Sequence, residues 1–315
     1  MNTVHGFGET EFVVDLQAQR HWNWQVAVYL YGAGTSAGLI FLEVVLRSLG
    51  VVDQQTALWG MWMGLGLALV SLGFLFSHLG PQSRWSFFYA FRRPRNSWTA
   101  RGATTITVLV ILQILVLLPS VPGFEGLPWN EGTTGGLILR GAIVLFAVAF
   151  MAYTGLLLSS WNSIAFWNTP ALPILYVCYS SLCGMAALML VALIIGSGKG
   201  LGILGPALWP YLLALLLGGA FMLLVYVWGM YTGTLPARES VRRLVRGEHR
   251  WSFWAGTVGI GLVLPTLVVA FAVGGKLGTD TAATLLLIVT CLAIQVGGFL
   301  LRDNILRVGI YGYPI

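Results

Sequence analysis

Eight apolar segments, each long enough to cross a bilayer as a helix, occupy most of this 315-residue chain. A helix rises about 1.5 Å per residue and the hydrocarbon core is about 30 Å thick, so roughly 20 mostly apolar residues make one span. By that measure the spans lie near residues 24–48, 57–78, 102–122, 134–160, 171–196, 205–231, 251–274 and 282–307. Backbone amides find no water in hydrocarbon and must bond within their own helix. The expectation is therefore an all-α integral membrane protein. Charged residues make up only 9% of the chain, against about 25% in soluble domains, which argues against most soluble enzyme classes.

The arginines orient the spans. An even number of spans puts both chain ends on one face, called side A below. Side A receives Arg20, then Arg84, Arg92, Arg93, Arg95 and Arg101 after the second span. It also receives Arg238, Arg242, Arg243, Arg246 and Arg250 after the sixth, and Arg302 and Arg307 near the end. Side B has only Arg47, Arg140, Lys199 and Lys276. Short cytoplasmic loops accumulate Lys and Arg, so both termini are expected in the cytoplasm, in the inner membrane of a prokaryote. The opening residues are polar and lack the apolar centre of a cleavable signal, so the first span is expected to act as the insertion signal.

Several residues narrow the chemistry further. Cys178, Cys183 and Cys291 fall inside spans without C-x-x-C spacing, and a cluster usually needs four thiolates. His5, His21, His78 and His249 all avoid the middle of a span, so facing haem ligands are missing as well. The G-x-G in 197–204 follows no strand, which argues against a nucleotide loop, and no nucleic-acid partner is expected. Thr169-Pro170 resembles a helix start, and Pro265 should kink the seventh span. Ionisable groups within a membrane are functional suspects. Glu43 and Arg140 both fall near side B and could pair, while Asp303 adjoins Arg302 in the last span.

Four stretches resemble the NrfD/PsrC family of membrane subunits of respiratory oxidoreductases. The first is Trp22-x-Trp24 with Ala27-x-Tyr29-Leu30 and Gly34-x-x-Ala37-Gly38. The second is His78-Leu79-Gly80-Pro81 with Arg84, then Pro94-Arg95-x-Ser97-Trp98-x-x-Arg101-Gly102. The third is Tyr153-Thr154-Gly155-x-Leu157-Leu158 with Trp167-x-Thr169-Pro170-x-Leu172-Pro173. The fourth is Phe253-Trp254-x-Gly256-x-x-Gly259-x-Gly261-Leu262-x-x-Pro265, with Leu301-Arg302 near the end. Together they run from residue 22 to residue 302.

The resemblance implies eight transmembrane helices as two four-helix bundles. Here these would be residues 24–160, with a quinone site, and 161–315, preceded by an interfacial segment 1–23. It implies an exchangeable menaquinone or ubiquinone, and no haem or iron–sulfur cluster held by this chain. The implied partners are a four-cluster-type iron–sulfur subunit and a catalytic, molybdopterin-type subunit. The family's Y-x-G tyrosine falls on Tyr153. At the start of the first helix, Val26 and Tyr29 occupy the positions where sulfur-reducing members carry Asn and His. The candidate quinone-binding residues are thus Tyr153, Tyr29, His21, Asn23 and His78. Glu43, Arg140 and Asp303 are candidates for a proton path. Arg84, Arg92, Arg93, Arg95, Arg101, Arg242 and Arg243 are candidates for partner docking, and could also meet anionic lipid. Many members place side A outside the cell, and the arginine bias here reverses that, so the partners are expected in the cytoplasm. A proton-linked transporter and a purely structural scaffold are the competing readings.

Overall fold

The structure is a computed structural model that describes residues 18–19, 22–78, 91, 95, 97–195, 200–277 and 281–312, with backbone alone at 200–206. His21, Arg84, Arg92 and Arg93 lie outside the described residues. The elements are α1 (Trp24–Ser48), α2 (Gln54–His78), α3 (Trp98–Leu117), α4 (Thr134–Ser159), α5 (Ala171–Ile195), α6 (Gly200–Tyr231), α7 (Leu235–Val245), a π-helix (Ser252–Val263), α8 (Leu264–Val273) and α9 (Thr281–Arg307). Eight helical stretches are long and apolar enough to span a membrane, within a few residues of the expected bounds.

Local chemistry sets many of the helix starts. Asn23, Ser97 and Thr133 each accept a backbone N–H of the first turn, starting α1, α3 and α4. Thr169 Oγ1 accepts from the Ala171 amide at 3.3 Å, so the Thr-Pro pair stands immediately before α5. Such caps satisfy amides that have no partner within the helix.

Burial separates the helices into inner and outer sets. About four-fifths of the apolar windows of α1 and α5 are enclosed by protein, while α3 and α6 bury less than a third of theirs. α1 packs on α2, α4, α5 and α9, and α5 packs on α1, α4, α6 and α9. The two central helices meet through glycine. A methyl at Gly38 would overlap the Ser180 backbone, and one at Gly184 would overlap the backbone of Gly38 and Leu39. Small residues allow this approach where the hydrophobic effect offers helices no mutual preference over lipid. The outer helices present Leu137, Leu145, Phe221, Leu224, Leu267 and Leu285 outward.

Two elements differ from the sequence expectation. The arginine-rich stretch after the sixth span contains the helix α7, which buries Pro236, Ala237, Ser240, Val241 and Leu244 on one side. The seventh span is a π-helix running into α8, with Pro265 in the first turn of α8. A proline ring clashes with the carbonyl four residues back. The wider turn passes that position, and the Leu264 amide bonds to the Gly259 carbonyl. Gly261 of this segment meets Gly297 of α9 backbone to backbone.

On side A the chain ends are tied together. Ala18 bridges to Ile310 and Ile164 to Tyr311. Gln19 Nε2 donates to the carbonyls of Trp22 and Leu306. The Trp22 ring meets Trp161 and Trp167 edge-on, each at 5.8 Å. The connector 160–170 is thereby held under the start of α1 and the end of α9.

Candidate functional site

Near side A, three helices bring together two tyrosines and a glycine. Tyr29 of α1 and Tyr153 of α4 are both buried and close enough to interact electrostatically. A methyl at Gly102 of α3 would overlap the Tyr153 ring and its hydroxyl. Gly102 therefore provides the space into which the phenol reaches. Phe150, one turn earlier on α4, packs against the Tyr153 ring at 5.6 Å. Neither phenol hydroxyl has a hydrogen-bond partner among the described residues, and neither is among the sealed unpaired polar atoms, unlike those of Tyr176 and Tyr179. Each hydroxyl is thus left with a hydrogen bond to donate.

The other polar candidates fall elsewhere. Asn23 caps α1, its side chain accepting from the Gln25 amide and donating to Gln25 Oε1. His78 closes α2, half-buried. Arg101 adjoins Gly102, lies over the Trp98 ring at 4.5 Å and donates to the Arg95 carbonyl at 2.7 Å. Arg95 and Arg101 thus stand at the edge of the tyrosine site. Arg242 and Arg243 lie on α7, each loosely paired with Glu239 at 3.7 and 3.8 Å.

A cavity of about 130 Å³ opens at the side B end of the first four helices. Glu43, Arg47, Gln54, Trp129, Glu131 and Arg140 are among its lining residues. The sequence left room for a Glu43–Arg140 pair. The structure instead gives Arg140 to Glu131 at 3.1 Å, and Arg47 to the same oxygen at 3.2 Å. Gln54 completes the clamp at 2.8 Å. Glu131 belongs to the α3–α4 connector, so its position depends on tertiary structure that spacing cannot reveal. Glu43 is left buried at the inner wall with Oε2 unpartnered. Its stem flanks Gly60, and Gln113, buried with both amide atoms unpaired, flanks Gly64 one turn along α2.

The Arg302–Asp303 neighbours do not neutralise each other. Asp303 turns to Arg307 at 2.7 Å, while Arg302 is fully buried and faces α5. Adjacent helical residues point about 100° apart, so sequence neighbours on a helix seldom share a face. Among the described residues no group of three or more His, Cys, Asp or Glu gathers as a metal site would require.

Eight helices long and apolar enough to cross a membrane, packed as one bundle, define the class of multi-pass membrane protein. Comparison with known proteins gives the family. The profile described as Polysulphide reductase, NrfD matches residues 13–312, and the chain belongs to that family. It is similar to Protein NrfD of Escherichia coli K12, at 28% identity over 91% of this chain and 94% of that protein. It is also similar to a polysulfide reductase chain of Wolinella succinogenes, at 27% over 78% and 82%. A third relative is a selenate reductase subunit of Mesobacillus selenatarsenatis, at 22% over 83% and 69%.

Proposed function

We propose that this chain is the quinone-reactive membrane subunit of a respiratory oxidoreductase. It exchanges electrons between membrane menaquinone or ubiquinone and an iron–sulfur partner on side A, which serves a molybdopterin-type catalytic subunit. The observation that carries this reading is the Tyr29–Tyr153 pair, with Tyr153 seated against Gly102 of α3. The polysulfide and selenate reductase relatives are each named as one component of a reductase, which supports a multi-subunit assembly.

A bound quinone supplies the reversible electron and proton chemistry. Tyr153 would hold one quinone oxygen by its hydroxyl, with Tyr29 of α1 close by as a second donor. Phe150 and Gly102 fix the Tyr153 ring so that its hydroxyl meets the same point at each turnover. His21 and His78, carried by the segments that lead into α1 and out of α2, exchange protons toward side A. Arg95 and Arg101 beside the site, with Arg84, Arg92 and Arg93 on the same connector, receive an acidic partner surface. Arg242 and Arg243 extend that surface along α7.

A second half of the proposal concerns side B. The cavity with its Arg47–Glu131–Arg140 clamp admits water, and Glu43 at its inner wall takes up protons. Gln113 lies next on the way inward. Asp303, engaged with Arg307, belongs to the side A surface. The arginine bias supports a cytoplasmic position, in a prokaryote, for both termini and the partners.

Mild-detergent affinity purification from native membranes, read by mass spectrometry of proteins and extracted quinone, tests this reading. It expects an iron–sulfur protein, a catalytic subunit without export signals, and quinone. Exported partners would overturn the orientation and keep the function. Recovery of the chain alone without quinone would favour a transporter or scaffold.

A further inference from the structure

The two arginines of the side B clamp are not held alike. Both point at Glu131 Oε1. Arg47 is held at three points: its Nε and Nη2 donate to that oxygen at 3.3 and 3.2 Å, and its Nη1 donates to the Val52 carbonyl at 3.4 Å. Arg140 has a single contact, from Nη2 to the same oxygen at 3.1 Å. Among the described residues the rest of its guanidinium meets no acceptor.

Depth separates the two further. Counting from the side B ends of α1 and α4, Glu43 and Arg140 lie roughly 8 and 9 Å inward at a helical rise of about 1.5 Å per residue, and Arg47 only about 2 Å. α1 packs directly on α4. Glu43 and Arg140 thus stand at one level on neighbouring helices, and both line the cavity of about 130 Å³. At about 30 Å³ per water that cavity has room for several waters, and so for the head of an arginine to turn.

The charges in the cavity leave Glu43 without a counter-ion. The ionisable groups lining it are Glu43 and Arg47 of α1, Glu131 of the connector and Arg140 of α4. α2 and α3 turn no charged side chain to it. Of the other helices packed on α1, α5 carries no charged residue and the charges of α9 lie toward side A. Two arginines against Glu131 leave one positive charge over while Glu43 is protonated. Once Glu43 gives up its proton the sum is zero, but a sealed carboxylate with no cation against it is costly. Arg140 is the cation at its level. Its departure breaks one contact, and Glu131 keeps Arg47 and Gln54.

We propose that Arg140 is a moving counter-ion that changes partner with the protonation of Glu43. It rests on Glu131 while Glu43 holds a proton, and it turns to the Glu43 carboxylate when that proton has gone. A proton arriving through the cavity then releases the arginine to Glu131 and returns Glu43 to its starting state. Arg140 is a positioning residue in this cycle and carries no proton itself, since a guanidinium stays charged in a protein. The inference deepens the proton role given to Glu43 above and rests on it for its use in turnover.

The test needs no turnover, so its failure is distinct from failure of that role. The full chain, purified from native membranes in mild detergent at neutral pH, is treated with dicyclohexylcarbodiimide, which adds to a carboxyl only while that carboxyl holds its proton. Adducts on the Glu43 peptide are counted by mass spectrometry, with Glu43→Gln as the assignment control. The unaltered protein should be labelled at Glu43. Glu131→Gln removes the resting partner, commits Arg140 to Glu43 and should lower that labelling on the order of 10-fold. Adding Arg140→Gln to this variant should restore it. A Glu131 that only held the connector in place would not be rescued by the loss of a second clamp residue. Should Glu131→Gln fail to assemble, Arg140→Gln alone decides: in mildly alkaline buffer it should be labelled at Glu43 at least about 3-fold faster than the unaltered protein, and an equal rate would overturn the proposal. So would an unlabelled Glu43 in the unaltered protein, unchanged labelling in Glu131→Gln, or labelling that stays low in the double variant.

Discussion

Single atoms govern the tyrosine site. Gly102 is tight because a methyl there would occupy the place of the Tyr153 hydroxyl. Gly102→Ala should therefore displace the phenol and lower quinone-coupled turnover on the order of 10-fold to 100-fold, with subunit assembly retained. A Gly102→Ala complex turning over at the unaltered rate would contradict the packing argument. At the side A surface, burial, with Arg307 and Arg243 nearby, holds the His249 imidazole below its ordinary value, against the opposing pull of Glu248 and Asp303. The unfolded chain then binds more protons than the folded one as the pH drops, so stability rises with pH up to the ordinary histidine range and levels off above it. Melting temperature followed from about pH 5 to about pH 8 should show this rise, and His249→Gln should flatten it. That Tyr153 and Tyr29 lie toward the same end of their helices was readable from position. Gly102 as their seat was not, because only the meeting of α3 with α4 gives that glycine a neighbour.

Among the elements, α1 and α5 carry the assembly, and their contact turns on Gly38 and Gly184. Gly38→Leu would drive a side chain into the Ser180 backbone and should cost about 3 kcal/mol or more. A large fall in melting temperature in detergent is the expected result, and an unchanged one would mean the helices are not in contact there. The spans themselves were legible to within a few residues because length and hydropathy are properties of one segment. The short helix α7 was hidden by its arginines, since its buried side is made of small and aliphatic residues that a hydropathy reading averages away. The π-helix was hidden too. Pro265 announced a disturbance, but its form depends on what Gly256 and Gly261 meet on α9.

Across the whole molecule, the two ends of the first four helices hold different chemistry. Phenols and arginines lie at side A, while a charged cavity and a buried acid lie at side B. The arginine bias made this asymmetry visible in the sequence. The Arg47–Glu131–Arg140 clamp was not visible, because a loop acid was matched to two helices only by the fold. If Glu43 delivers protons from side B, Glu43→Gln should abolish most of the turnover-linked pH change in sealed vesicles while leaving electron transfer in detergent largely intact. An unaltered pH change would remove Glu43 from the path. The central claim is that quinone reacts at Tyr153. Quinone-coupled turnover of the assembled complex carrying Tyr153→Phe tests it most directly, with partner-subunit activity toward an artificial electron donor as the control. A loss of about 100-fold or more with the control unchanged is predicted, and full quinone-coupled turnover would contradict the account.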